Sequence, residues 1–327
     1  MQVVCCIDCL NPQPEADQLS HRTITLGRTL EMDVITALVD GEQVETNSTR
    51  IVPWWSYTKT IISAAALSLV DRALLSLDDA VAGRSFSLRQ LLQHRSGLPD
   101  YGFLPAYHDD VGARRTPWTV DEMLERCQIN APLFAPGMGW SYSNIGYVHV
   151  RRLIEQATQQ PLLAALEDLV LRPLGIGDVR LALSPADLDA TAWGNPQAYH
   201  PGWVYHGLLV GTASSAALLL QRLMEGRLLT QAMMEAMLTM HRFDVSATTR
   251  PLSEPCYGLG IMGGNAGHSG YRGHTGTGPG SVAAIYGAWV GDTATSLRTA
   301  AVFAPGEDQA AVERKAIELI STGSVRR

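Results

Sequence analysis

Only two lysines occur in the chain, Lys59 and Lys315, although Lys and Arg together number 25. Arginine stays charged in a protein, whereas a lysine amine can lose its proton where its surroundings disfavour the cation. One of the two follows a serine by three residues, in Ser56-Tyr57-Thr58-Lys59. That spacing offers a hydroxyl nucleophile and a neutral amine to take its proton. The same pair also suits a plainer reading, with Ser56 capping a helix and Lys59 solvated in its first turn.

The flanking residues suggest what positions the pair. Arg50 to Trp55 reads as a strand end and a turn. Thr60 to Leu75 is apolar on several faces around Ala64-Ala65-Ala66, the composition of a buried helix. One helical turn separates Ser56 from Lys59, which places their Cβ atoms about 5–6 Å apart. The Ser56 N–H then belongs to the free amides of a helix start, available to a developing oxyanion. The positive helix end and burial both favour a neutral lysine.

Two later segments carry the argument further. Ala135-Pro136-Gly137-Met138-Gly139-Trp140-Ser141-Tyr142-Ser143-Asn144 precedes an amphipathic stretch, Ile145 to Thr158. Gly273-His274-Thr275-Gly276-Thr277-Gly278 lies between strand-like stretches near the C-terminus. Ser-x-x-Lys, Tyr-Ser-Asn and His-Thr-Gly, in that order, resemble the serine β-lactamase and penicillin-binding-protein superfamily. The tyrosine of the second motif is similar to the class C β-lactamase branch, with its esterases, D-aminopeptidases and D,D-carboxypeptidases. Leu91 to Pro99 and Arg172 to Ile176 resemble connecting segments of that branch, and the likeness extends from Ile51 to Pro305.

The resemblance implies a fold, a reaction and roles. The fold is α/β (α+β): a β-lactamase/transpeptidase-like antiparallel sheet flanked by helices, plus an inserted helical domain. The reaction is hydrolysis of an ester or peptide-like amide through an acyl-enzyme, with a true β-lactamase or D,D-peptidase as the alternative. A penicillin-binding or ligand-sensing protein with little turnover is the alternative of another class. Ser56 corresponds to the acylated nucleophile, Lys59 to its proton acceptor and Tyr142 to the phenol beside both. Asn144 corresponds to a substrate-binding amide that also helps fix Lys59, although asparagine equally suits a helix N-cap. His274, Thr275, Gly276 and Thr277 form the substrate-binding strand motif, with the Thr277 N–H completing an oxyanion hole with that of Ser56. His274 departs from the lysine common at its position. An imidazole titrating near 6.5 would hold a substrate carboxylate less firmly and make activity pH-sensitive.

Composition bounds the remaining possibilities. At 327 residues, 46% hydrophobic and 17% charged, the chain can bury a large core. Its net charge of −7 and lack of a basic patch argue against nucleic acid as a partner. No run approaches the roughly 20 apolar residues of a membrane span. A small-molecule ester, amide or β-lactam is the expected partner, with no cofactor and no metal. Cys6 and Cys9 have knuckle-like spacing, and Cys5 adjoins them, but no second cysteine pair exists to complete a zinc site. Five cysteines and the absence of an evident signal sequence suggest a cytoplasmic protein, or a periplasmic or secreted one if a leader is missing.

Periodicity gives an order of elements. Strand-like runs fall at Arg22–Leu26, Val34–Val39 and Thr49–Val52, with Asp40-Gly41 as a hairpin turn between the latter two. Helical patterns occupy Ser87–His94, Val120–Gln128, Ile145–Thr158, Leu162–Val170, Ala213–Glu225 and Gln231–Met240. Strands return at Tyr257–Met262, Ser281–Val290 and Thr299–Phe303, before a helix at Asp308–Ile320. This order predicts a sheet domain from residues 1–75 with 255–327, a helical domain from 76–254, and an active site in the cleft between them. Tyr199 to Gly207, rich in aromatics and histidines between Pro and Gly, reads either as a pocket wall or as an ordinary anchored loop.

Overall fold

The computed structural model of the chain describes residues 33–243, 250–291 and 296–325. Its strands are β1 (Ile35–Asp40), β2 (Gln43–Thr46), β3 (Ile51–Pro53), β4 (Arg180–Leu181), β5 (Leu209–Thr212) and β6 (His241–Arg242). The series continues with β7 (Ser253–Tyr257), β8 (Met262–Ala266), β9 (Ser269–Gly278), β10 (Ser281–Val290) and β11 (Ser296–Pro305). The helices are α1 (Thr58–Asp71), α2 (Leu88–Leu92), α3 (Pro105–Gly112), α4 (Val120–Arg126) and α5 (Asn144–Thr158). After them come α6 (Leu162–Leu166), α7 (Pro185–Asp189), α8 (Ala213–Met224), α9 (Gln231–Leu238) and α10 (Gln309–Thr322).

Eight strands form one antiparallel sheet in the order β2-β1-β11-β10-β9-β8-β7-β6. Its central strands are apolar on both faces because both are covered. Val282, Ala284 and Tyr286 of β10, with Ala300 and Val302 of β11, pack beneath α10 against Val312, Ala316, Leu319 and Ile320. The alternate residues Ala283, Ile285, Ala301 and Phe303 face the larger core, to which α8 contributes Ala213, Ala217 and Leu220. Each fully buried branched or aromatic side chain here stabilises the layer by about 1.5–3 kcal/mol.

Helix α1 lies on the other side of that larger core, packed on α5 and α6. It is buried through nearly its whole length, as its Ala-rich composition suggested. Helix α8 packs on β1, β10 and β11 even though it falls within the span read as the inserted helical region. A second, three-stranded sheet, β3-β5-β4, joins the approach to α1 with the segment that leads into α8.

Several local expectations are corrected. Asp40-Gly41 does begin a hairpin turn, with Gly41 at φ +59°, but the returning strand is β2, and the Thr49–Val52 run pairs with β5 instead. The hairpin partner was illegible because Gln43–Thr46 is exposed on every residue and carries no apolar alternation. Tyr257–Met262 is not one strand; the chain turns there between β7 and β8 around Gly258 and Gly260. The Gly-rich Ser269–Gly278 run is in fact a ten-residue strand, paired on both edges. The runs Arg22–Leu26 and Cys5 to Cys9 lie outside the described residues. Among the described residues no helix is long and apolar enough to cross a membrane.

Candidate active site

The chain enters α1 through a 3-10 turn, Trp55–Tyr57. Residues i and i+3 eclipse in such a turn, and the Lys59 Nζ accordingly stands 3.0 Å from the Ser56 Oγ. Trp55 holds a left-handed backbone, φ +44°, immediately before the serine. Such a conformation costs about 1–3 kcal/mol and must be held by its surroundings. Here the indole N–H donates to the Ser281 Oγ at 2.9 Å, and the ring meets Tyr199 edge-on. Nearby, the Thr58 hydroxyl accepts from the Leu209 N–H at 3.1 Å and the Thr60 hydroxyl donates to the Gly260 carbonyl at 2.8 Å. The first turn of α1 is therefore fastened to β5 and to the β7–β8 turn.

Lys59 is wholly buried. Loss of solvent lowers its pKa to about 7, opposed by the negative charge of Asp100. An appreciable fraction is thus a neutral amine at neutral pH, able to accept the Ser56 proton. Tyr142 and Ser56 line the same cleft, and the Lys59 ammonium position lies 5.1 Å from the Tyr142 ring centroid. Burial raises the Tyr142 pKa, and the influence of the neighbouring Ser56 hydroxyl only partly offsets this. The phenol consequently keeps its proton and can pass it on, but is no phenolate in the resting site. His94, read from the sequence as a helix-end residue, backs this phenol with its ring 4.2 Å from that of Tyr142. Its Nδ1 accepts from the Ser143 N–H at 3.1 Å, so the ring carries its proton on Nε2.

Ser143, not Asn144, caps α5: its hydroxyl accepts from the Gly146 N–H at 3.2 Å and donates to the Pro99 carbonyl at 2.8 Å. Asn144 opens the helix, and its amide donates to the Asp100 carboxylate at 3.2 Å while its backbone N–H binds the second carboxylate oxygen. Asp100 also accepts from the Gly102 N–H at 2.7 Å. Burial raises the Asp100 pKa against these bonds and against Lys59. The Asn144 side chain is thereby oriented at the cleft wall.

Strand β9 supplies the opposite wall. A Cβ on Gly276 would meet the Trp54 carbonyl at 2.9 Å and the Ser56 backbone nitrogen at 3.1 Å, and one on Gly278 would meet the Trp55 ring at 2.3 Å. Only glycine permits this approach of the strand to the serine. Thr277 reaches the cleft, and its buried hydroxyl has no hydrogen-bond partner among the described residues. Thr275 is buried with its hydroxyl against the Met262 sulfur.

His274 does not stand in the cleft. It is fully buried, with Nδ1 on the Thr275 carbonyl and Nε2 2.8 Å from the Tyr257 hydroxyl. A carbonyl only accepts, so Nδ1 carries the proton and Tyr257 donates to Nε2. Burial, reinforced by Lys59, lowers the His274 pKa to about 3. Its titration therefore leaves the neutral range in which the sequence reading placed it.

A cleft of about 620 Å³ joins these parts, walled by Ser56, Tyr142, Asn144 and Thr277 with the aromatic rings of Trp55, Tyr101, Tyr107 and Tyr199. Three contributors were missed in the sequence. Asp100 directly follows the Gly97-Leu98-Pro99 phrase, but nothing there ties it to Asn144, 44 positions away. Arg250 lines the cleft and is held by the buried Glu313, its Nε 2.9 Å from the carboxylate. His206 lies inside the segment already read as a possible wall, yet only the fold brings it to 3.2 Å from Lys59. Cys127 and Cys256 are buried free thiols away from this chemistry.

The beta-lactamase family model matches residues 34–304. The chain belongs to that family. Esterase EstB of Burkholderia gladioli is 36% identical over 145 residues, 38% of this chain and 36% of its own length. A D-aminopeptidase of Brucella anthropi is 30% identical over 122 residues, 37% of this chain and 23% of its own length. These curated relatives are thus matched over roughly a third of their length or less. Among solved structures, a D-stereospecific amidohydrolase from a Streptomyces species superposes with a TM-score of 0.71 at 22% identity, over 90% of this chain and 96% of that one. The last likeness is one of fold.

Proposed function

We propose that the protein is a serine hydrolase that cleaves an ester or peptide-like amide through an acyl-enzyme on Ser56. The observation that carries this reading is the contact of a fully buried Lys59 amine, with its pKa near 7, on the Ser56 hydroxyl. In the acylation step the Ser56 Oγ attacks the carbonyl carbon and its proton passes to the Lys59 Nζ. Negative charge develops on the carbonyl oxygen, facing the backbone amides of Ser56 and Thr277. As the tetrahedral species collapses, the proton moves from Lys59 through the Tyr142 hydroxyl to the leaving oxygen or nitrogen. Water then attacks the acyl-enzyme by the same route in reverse and releases the acid.

An ester or peptide-like amide is favoured because the strand motif offers no cation to the cleft: His274 is neutral and lies behind the wall. The aromatic walls suit an apolar acyl group. The relatives include an esterase and a D-aminopeptidase. One observation favours a second reading, a true β-lactamase or D,D-peptidase: the guanidinium of Arg250, oriented by Glu313, lies in the cleft wall and could meet a substrate carboxylate.

Intact-protein mass after brief exposure to an activated short-chain ester, a penicillin and a cephalosporin, with Ser56→Ala alongside, tests the proposal. Ester consumption with an acyl adduct absent from Ser56→Ala is the expected result. Rapid β-lactam hydrolysis would move the assignment to the second reading, and a persistent β-lactam adduct to a penicillin-binding or sensing protein. Labelling that survives in Ser56→Ala overturns the nucleophile.

A further inference from the structure

His206 is the buried titratable group nearest the reacting pair that the mechanism above leaves unused. It stands at the end of the Tyr199–Gly207 segment, before β5, and is 2% exposed. Its Nε2 is 3.2 Å from the Lys59 Nζ, while its Nδ1 is buried with no partner among the described residues. His94 and His149 also bury an unpartnered ring nitrogen among the described residues; what sets His206 apart is that its other nitrogen faces the Lys59 amine. A neutral amine has one lone pair and two N–H bonds. If the lone pair accepts from Ser56, an N–H is left to donate, and His206 Nε2 stands where that bond points.

We propose that His206 is the positioning residue of the general base: its Nε2 accepts an N–H from Lys59, turns the amine lone pair onto the Ser56 hydroxyl and stabilises the ammonium formed on acylation. This rests on the function proposed above and adds to it the device that orients the base. No proton moves to His206. The Ser56 O–H bond breaks, the Oγ–carbonyl carbon bond forms, the proton binds the Lys59 lone pair, and the resulting ammonium still donates to Nε2. The imidazole remains the neutral Nδ1–H tautomer throughout. Its surroundings keep it so: burial, Lys59 of α1, Arg151 of α5, His274 of β9 and His94 all disfavour a second proton, and the Tyr147 ring of α5 lies 6.3 Å away.

The test uses the scarcity of lysine. Protein labelled with ¹³C at lysine Cε has two signals, from Lys59 and Lys315, and the first can be assigned with Lys59→Ala. Titration of that signal follows the Lys59 charge with no substrate present. In His206→Leu the ammonium loses its acceptor, so the Lys59 midpoint should fall by about one pH unit or more, and ester acylation of Ser56 should fall about 10–100-fold in rate. His206→Gln, whose amide oxygen can reach the Nε2 position, should restore both. A purely structural role predicts equal effects of Leu and Gln and an unmoved midpoint, and either finding overturns the proposal. Should His206→Leu not fold, His206→Asn replaces it. The shorter amide cannot reach Lys59, and a midpoint equal to that of His206→Gln would again overturn the assignment. Because the Lys59 titration needs no turnover, failure of the wild type to react with esters would count against the proposed function alone.

Discussion

Lys59 on α1 and His274 on β9 are both bases, both fully buried and both pushed toward neutrality by loss of solvent, yet they end in opposite roles. The lysine starts at 10.5 and lands near 7, where it can exchange a proton at physiological pH. The histidine starts at 6.5 and lands near 3, where it is a fixed neutral donor and acceptor. Their contacts follow suit. Lys59 faces the Ser56 hydroxyl, whereas His274 faces a tyrosine hydroxyl and a backbone carbonyl that complete its hydrogen bonding. Burial alone thus makes neither residue functional; its product with the starting pKa and the partner does.

The largest effects should come from the lysine side. Ser56→Ala is expected to lower ester turnover by at least ~10⁴-fold, read by steady-state hydrolysis with melting as a folding control. Lys59→Arg keeps a cation of similar length that cannot be deprotonated, and should cost ~10²–10⁴-fold. In the wild type, kcat/KM should rise with pH through about 7 as Lys59 loses its proton. An arginine variant with near-normal turnover would break the comparison at its first term.

Gly276→Ala tests the strand side without touching a titrating group. The added methyl meets the Trp54 carbonyl and the Ser56 nitrogen, so β9 must retreat from the serine, and a shift of that order should cost roughly 10²-fold in rate. Activity near the wild-type level would show that the close approach is unnecessary.

Stability should record both bases. Between about pH 7 and 10.5 the unfolded chain binds a proton at Lys59 that the folded chain does not. Stability therefore increases with pH across that window by about 1.4 kcal/mol per unit. Between about pH 3 and 6.5 His274 acts with the same sign, and stability is lost as pH falls. Chemical denaturation of Lys59→Met across pH should erase the upper climb and leave the lower. An unchanged upper climb would place the depressed amine elsewhere.

The smallest effect on rate is expected at His274→Phe. It leaves the Tyr257 hydroxyl without its acceptor, at about 1–3 kcal/mol of stability, but the acid limb of the pH–rate profile should stay near 7. A limb that moves would show that His274 does reach the chemistry.

Much of the candidate site was legible because it is local. Ser56 and Lys59 are three residues apart, and a single turn fixes their relation whatever the rest of the chain does. Tyr142 and Asn144 sit at the start of a periodic helix, so their order and setting could also be read. The remaining contacts are non-local and left no trace in residue spacing. Asp100 reaches Asn144 across 44 positions, and His206 reaches Lys59 across 147. The exposed strand β2 carried no alternation, and the glycines of β9 concealed a strand whose pairing, not its side-chain propensity, defines it.

The sequence by itself determined the Ser56–Lys59 spacing, the order of the motifs and the buried character of α1, because these depend on neighbours within a few residues. Tertiary structure alone decided which bases lose solvent, which carbonyl or carboxylate each one faces, and how near β9 comes to Ser56. The physical reason is that desolvation and hydrogen-bond geometry belong to the packed surroundings of a group. The same imidazole is therefore a switch in water, an inert acceptor from Tyr257 and donor to Thr275, or a partner for Lys59 at position 206.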